Sequence, residues 1–547
     1  MPDWPGGRVG VRPCTPVTSG ARLRHHRARM TTPSPSVLVL LPLAGALLVR
    51  WAPHRWSQVI SLVVAWGGIG LVLPFWFAYD PRNPDFQFVE RLGGLGTSHY
   101  VVGLDGLSVL FLLATAVLGV ASTLLPPRVP AHRQRAWSAT LLLAQAGVAG
   151  ILIALDLLLF AVCWAATLAS LARLAALGAG EAPDTGAAFR IASVLSAVAV
   201  LGGAAAVTVS DLTALDALSI PGGRQWWSFA AFVLAFGSTV PLFLMAAARK
   251  DRVAASWSVP GSVLLALGGY GLLRVNLPLL PEASRAAAPG LSLLAFAGVL
   301  AMGLRAWFES DARRLLVWLA AMLAALGMAG AFALHPDSIA GMAVQQAVRT
   351  MAVGALVLPC DAALRGAAPS GSGSPEGWSR RLAAVAASLV ALATVSAGLW
   401  PRLMLAGAAA GGTAQMLALS AGAAFGALVA CRFIWLLFMP QAQGTAGVAA
   451  SPLALWLGAL PAGAAVLAVV AVPAPVVDRV TVPALKIAAR IDASYTGAFE
   501  AACDTTVTDA MKAANPANQF LTAAPCGPNG EPLPAGSSVP STATPAR

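Results

Sequence analysis

Fourteen apolar runs, each near the ~20 residues that a helix needs to cross a hydrocarbon layer, lie between residues 36 and 474. They begin at 36–49 and 58–77 and end at 412–439 and 453–474. A water-soluble fold with so much apolar sequence would need a charged shell, about 25% of residues in ordinary domains. Only 11% of the 547 residues are charged, 58% are hydrophobic, and mean hydropathy is +0.74. The pattern predicts an all-α, polytopic membrane protein of about fourteen transmembrane helices. The net charge of +12 sits mostly between the apolar runs and in the first thirty residues. It is read as an orientation signal in contact with the lipid bilayer, and no nucleic-acid partner is expected.

The charged loops give that orientation. Arg50/Arg55, Arg128/Arg133/Arg135, Arg173, Arg249/Lys250/Arg252, Arg313/Arg314 and Arg365/Arg380/Arg381 each follow an odd-numbered run, while the alternate loops are neutral or acidic. Basic loops of modest length stay on the cytoplasmic side. Both termini are therefore expected outside the cytoplasm, in a bacterial inner (plasma) membrane. Residues 1–35 read either as a basic disordered tail or as a start-site over-extension ahead of Met30. Residues 1–29 lack the apolar stretch of a secretory signal. A transmembrane core is expected over 36–365, a Gly/Ser/Pro linker over 366–381, further transmembrane helices over 382–474, and a polar extracytoplasmic tail over 475–547 with a helix at 482–502. In that tail Cys503 and Cys526 stand where a disulfide is permitted.

Within the core, Pro241 interrupts one apolar run, and Gly268, Gly269 and Gly271 crowd the next. A proline inside a span frees a backbone carbonyl that neighbouring protein must satisfy, and small residues let two helices approach closely. Both predict an interrupted, tightly packed centre. No Gly-rich phosphate loop, dinucleotide fingerprint, CxxC pair or HExxH occurs. No cofactor and no metal site is expected in this chain.

Several words in order resemble the antiporter-like chain M (subunit 4) family of proton-pumping NADH:quinone oxidoreductase. Phe86-Gln-Phe-Val-Glu90-Arg91 and Gly103-Leu-Asp105-Gly106-Leu-Ser108 resemble the head of its third span. Ala154-Leu-Asp156 through Trp164, the Val-Pro at Val240-Pro241, the GGYG at Gly268, Glu309 through Leu315, and Gly341 through Gln345 follow. The resemblance implies an inverted-repeat, broken-helix architecture and a place in the membrane arm beside other such subunits. NADH and quinone would then be met only through partner subunits, with no catalytic centre in this chain.

The family's proton path, as the resemblance implies it, needs a glutamate, two lysines and two histidines; here those places hold Ala165, Thr239, Ala266, Leu323 and Arg349. No acidic residue follows Pro401, where a last-channel glutamate would stand. The three lysines of the chain, Lys250, Lys486 and Lys512, all lie outside the apolar runs. Remaining candidates for an ion pathway or an inter-subunit contact are Asp105, Asp156, Arg190 and Arg349, with Pro241 and Pro401 as helix-breaking positions. For Asp105 and Asp156 helix capping is the competing reading, and for Arg190 snorkelling to the surface. The expected function is a structural membrane-arm subunit of a respiratory complex I type assembly with its proton-translocation residues lost or altered. A subunit of a cation/proton antiporter or ion-coupled uptake complex of the same fold, and an orphan membrane scaffold, stand as alternatives.

Overall fold

The computed structural model describes residues 33–81, 83, 85–95, 98–124, 131–178, 183–207, 222–247, 260–364, 385, 413–438, 463–469 and 471–496. Within them the chain forms α1 (Val37–Trp51), α2 (Ser57–Ala78), β1 (Gln87–Leu95), β2 (Ser98–Leu104) and α3 (Gly106–Leu124). There follow α4 (Ala131–Ile153), α5 (Leu157–Gly178), α6 (Pro183–Val207), α7 (Gly222–Gly237) and α8 (Thr239–Ala247). The remainder is α9 (Val263–Leu279), α10 (Pro281–Trp307), α11 (Ala312–Ala331), α12 (Pro336–Leu364), α13 (Thr413–Phe438) and α14 (Ala474–Ile491).

Nine helices among the described residues are long and apolar enough to cross a membrane, or ten if the bent pair Gly463–Val469 and Ala474–Ile491 is one span. Helices coincide with the first eleven apolar runs and with the thirteenth. The twelfth run, over 382–405, lies outside the described residues except for Val385. The chain is a multi-pass, mostly helical membrane protein.

Burial divides the helices into a centre and a ring. In α3 and α11, 83% and 89% of the apolar window is buried, against 22% in α2 and 17% in α10. A helix apolar on every side yet enclosed belongs to the core of the bundle. The ring helices turn large apolar side chains outward, as Ile191, Val194, Leu195 and Val198 do on α6 and Leu293, Leu294 and Leu300 on α10. In water such a surface would aggregate; against acyl chains it costs nothing. Helix α12 packs against α3, α9, α11 and α14, which places it at the centre.

The third apolar run does not start as a helix. Its first four residues, Val101–Leu104, complete an antiparallel hairpin of β1 and β2, and α3 begins at Gly106. Alternation would have betrayed a half-exposed strand, but Val101, Val102 and Leu104 are all buried. Strand β2 also bridges to Ala154, between α4 and α5. Ser36, ahead of α1, ties the hairpin down by hydrogen bonds to Glu90 Oε2 at 2.5 Å and Tyr100 at 2.9 Å.

Two helices are interrupted at the centre. The run holding Pro241 is broken at Ser238, between α7 and α8. Proline has no N–H to offer, so the Gly237 carbonyl one turn earlier loses its helical donor. Helix α9 contains a π-turn over Leu272–Asn276, directly after its three glycines.

The tail expected from residue 475 is corrected by α14. Instead of a polar segment with a helix at 482–502, Ala474–Ile491 is a docked amphipathic helix that buries Val476, Val477, Val480, Ala484, Ile487, Ala488 and Ile491. These positions recur every three or four residues and make one apolar stripe. Its charged residues, Asp478, Arg479, Lys486 and Arg490, made the segment read as polar overall. The helix packs across α3, α10 and α12. The N-terminal tail, the linker, and residues 497–547 lie outside the described residues.

Candidate functional site

The helix break at Ser238 opens onto the glycines of α9. A Cβ at Gly268 would run into Thr239 Oγ1 and would stand 2.7 Å from the Phe236 carbonyl, so only glycine lets α9 come this close. Thr239 is fully buried and its hydroxyl donates to that same carbonyl at 2.6 Å. On one side Phe236 packs edge-on against Trp164, ring centroids 5.1 Å apart. Trp164 Nε1 in turn donates to Ser196 Oγ at 3.2 Å. On the other side Gly269 faces Gln346 of α12, where a Cβ would lie 3.1 Å from the amide carbon.

Gln346 Nε2 donates to the Ala324 carbonyl of α11 at 3.3 Å, and Gln345 Nε2 to the Leu323 carbonyl at 2.5 Å. Arg349 Nη2 donates to Gln346 Oε1. The structure thus strings Trp164, Phe236, Thr239, Gly268, Gly269, Gln346 and Arg349 into one row across the bundle. Of Ala165, Thr239, Ala266, Leu323 and Arg349, only Thr239 and Arg349 belong to this row; Ala165 follows Trp164 in sequence, and the Leu323 carbonyl accepts from Gln345. Hydroxyl and amide groups can orient water, and guanidinium stays charged under physiological conditions. No side chain named in this row alternates between charged and neutral forms.

A second cluster lies at one end of the bundle. Asp105 follows the hairpin and opens α3, its Oδ1 accepting the Ser108 N–H at 2.8 Å. This is the capping geometry that satisfies an orphan helix donor. Its Oδ2 takes Arg274 Nη1 at 2.6 Å, an ion pair whose side chains are only 7% and 11% exposed. Arg274 projects from the π-turn and stacks over Phe86 at 4.4 Å, and Lys486 of α14 lies 5.8 Å from the same ring. Tyr270, one turn earlier, bonds Ser108 Oγ at 2.9 Å and donates to the Leu152 carbonyl at 3.0 Å. Burial, and then the Asp105 charge, push the Tyr79 phenol above its ordinary range.

Asp156 opens α5 in the same manner, accepting the Leu159 N–H at 2.9 Å. It is buried, apart from the central row. Arg190 is exposed on α6, and Pro241 is exposed at the start of α8. Pro401, Cys503 and Cys526 lie outside the described residues. Cys163 and Cys431 are free thiols.

The sequence reading missed Arg274 and the paired amides of Gln345 and Gln346. Arg274 closes an apolar run, a place where arginine ordinarily reaches for the surface. The available signal was its spacing of four from Tyr270, which puts both on one helix face. Between α11 and α12, half-buried His335 and buried Asp337 form a third polar group. The Asp337 N–H donates to His335 Nδ1 at 3.2 Å, and the Tyr495 ring stacks edge-on over His335 at 5.6 Å.

No family model matches the chain. It is 26% identical over 306 residues to an NAD(P)H-quinone oxidoreductase chain 4 of Trichormus variabilis, covering 52% of this chain and 56% of that protein. With NADH-quinone oxidoreductase subunit M of Rhodobacter capsulatus it shares 26% identity over 356 residues, or 59% of this chain and 69% of the relative. The chain spans little more than half the length of the chain 4 relatives it matches. Among solved structures, a chain of respiratory complex I from Thermus thermophilus superposes with a TM-score of 0.70 at 21% identity, covering 84% of this chain and 99% of that one. A chain of the Mrp complex from Dietzia sp. gives 0.65 at 15% identity over 86% and 99%. These superpositions establish the fold.

Proposed function

As a divergent relative of the chain 4 or subunit M proteins of quinone oxidoreductases, this chain is one we propose to be a membrane-arm subunit of an NADH:quinone oxidoreductase type complex. It holds neighbouring subunits in the bilayer while partners oxidise NADH and reduce quinone, and it carries no catalytic centre or cofactor of its own. The observation that supports the structural role is the central row, in which Thr239 and Arg349 hold positions that the resemblance matches to a proton path, while Ala165, Ala266 and Leu323 hold the others. Proton transfer across an apolar centre needs groups whose charge can come and go. The alternating basic loops favour a bacterial inner membrane with both termini outside the cytoplasm.

The experiment is affinity isolation of the tagged chain from its native membrane under mild detergent. The proposal expects a large assembly with NADH:quinone reductase activity, in which this chain is stoichiometric. Isolation with membrane subunits alone, free of that activity, would favour a cation/proton antiporter assembly, the reading to which the likeness to the Mrp chain lends support. Isolation as a single chain would leave an orphan scaffold.

A further inference from the structure

The guanidinium of Arg349 is 2% exposed, and among the described residues its Nε and Nη1 have no acceptor. Among them its one hydrogen bond goes to the neutral amide of Gln346. The acidic positions of its own helix are 337 and 361, each twelve residues away and so roughly 18 Å along the axis. Two other buried carboxylates have cations of their own, Asp105 with Arg274 and Glu309 with Arg305 and Arg314, and a third, Asp156, caps α5 through the Leu159 N–H. An arginine cannot shed its proton to escape this, and a buried charge without a counter-charge is strongly destabilising.

We propose that Arg349 is the core of a binding site for one small monovalent inorganic anion, of chloride size, inside the bundle. Enclosure selects the ligand class. A carboxylate on another subunit would have to thread its backbone past α12's packed neighbours α3, α9, α11 and α14, whereas a single ion needs only transient opening. Gln345 Oε1, also buried and without a partner, supplies an acceptor for a water in the anion's shell. Gly327 lets this amide pack close to α11, because a Cβ there would lie 2.6 Å from the Gln345 oxygen. The site replaces an exchangeable charge with a neutralised fixed one. It stands independently of the proposed complex, since any chain with this buried arginine would need the anion.

The test is equilibrium binding of radiolabelled chloride to the purified full chain, beside thermal unfolding in chloride and in gluconate at equal ionic strength. Wild type is expected to bind about one chloride per chain and to unfold at higher temperature as chloride rises, by mass action on the folded state. Arg349→Gln should lose both effects yet fold at least as well as wild type in gluconate, because the charge needing compensation is gone. Arg349→Lys, which keeps the charge, should retain chloride dependence. Absence of bound chloride in wild type, or equal binding by Arg349→Gln, overturns the proposal. So does chloride binding by the free chain that vanishes on assembly with its neighbours, which would assign the counter-charge to a partner's carboxylate.

Discussion

Asp105 does two things at once: it caps α3 through one oxygen and neutralises Arg274 through the other. Removing one member of a buried pair leaves the other charge uncompensated, at a cost of roughly 3–5 kcal/mol. Arg274→Met should therefore destabilise strongly, and the double variant with Asp105→Asn should lose much less than the two single losses added together. Thermal unfolding of the four proteins measures the coupling; additive losses would mean that the pair contributes nothing. This partnership, across 169 residues, cannot be read from one sequence. Capping could be, because Asp105 and Asp156 each stand near the start of an apolar run.

Asp337, two residues ahead of the apolar run 339–360, gives a pH-dependent expectation. Burial lifts its carboxyl to about 6 from an ordinary 3.8. The folded state then holds the proton more tightly than the unfolded chain, so stability falls as pH rises from about 4 to 6. A shift of about two units corresponds to roughly 3 kcal/mol at most. Asp337→Asn should be insensitive to that fall and end more stable than wild type above pH 6. Neighbouring His335, whose pKa burial lowers, acts with the opposite sign, stability from it rising with pH towards neutrality. It is present in both proteins, so its own share is common to the two curves apart from its contact with Asp337. Parallel stability curves for the two proteins from pH 4 to 7 would contradict the assignment.

At the scale of elements, the docking of α14 depends on one glycine. A Cβ at Gly106 would collide with the backbone carbonyl of Arg479, and backbone cannot rotate away as a side chain can. The helix is held from its other residues by Arg479 Nη2 on the Trp76 carbonyl at 2.7 Å and by Arg490 Nε on the Pro278 carbonyl at 2.9 Å. Gly106→Ala should lift α14 and speed tryptic cleavage after Arg479, Lys486 and Arg490. Gly290→Ala, in open space, should not. Equal cleavage rates in the two variants would show that α14 is not anchored there. This helix and the hairpin are the elements that hydropathy concealed, for opposite reasons. Four charges masked the apolar stripe of α14, and full burial erased the alternation of β2. The spanning helices were legible because length and apolarity alone define them in lipid. The missing N–H of Pro241 was legible in the sequence, while the π-turn over Leu272–Asn276 left no such mark.

At the scale of the whole molecule, the buried helices α3, α11 and α12 sit inside a ring of lipid-facing helices, and Arg349 of the row lies on α12 at that centre. The row was not legible in the sequence, since threonine, glycine and glutamine within apolar runs advertise nothing. Topology has its own check. A reporter fused after residue 496 should be active on the extracytoplasmic side, and activity confined to the cytoplasm would reverse the orientation. The central claim is that this subunit does not carry protons across its own midplane. It is tested most directly by the proton-to-electron ratio of the intact complex in proteoliposomes, with wild type beside Thr239→Val and Arg349→Gln. The ratio is predicted to be the same in all three. A lower ratio in either variant, with assembly and electron transfer intact, would show a working proton path through the row and contradict the account.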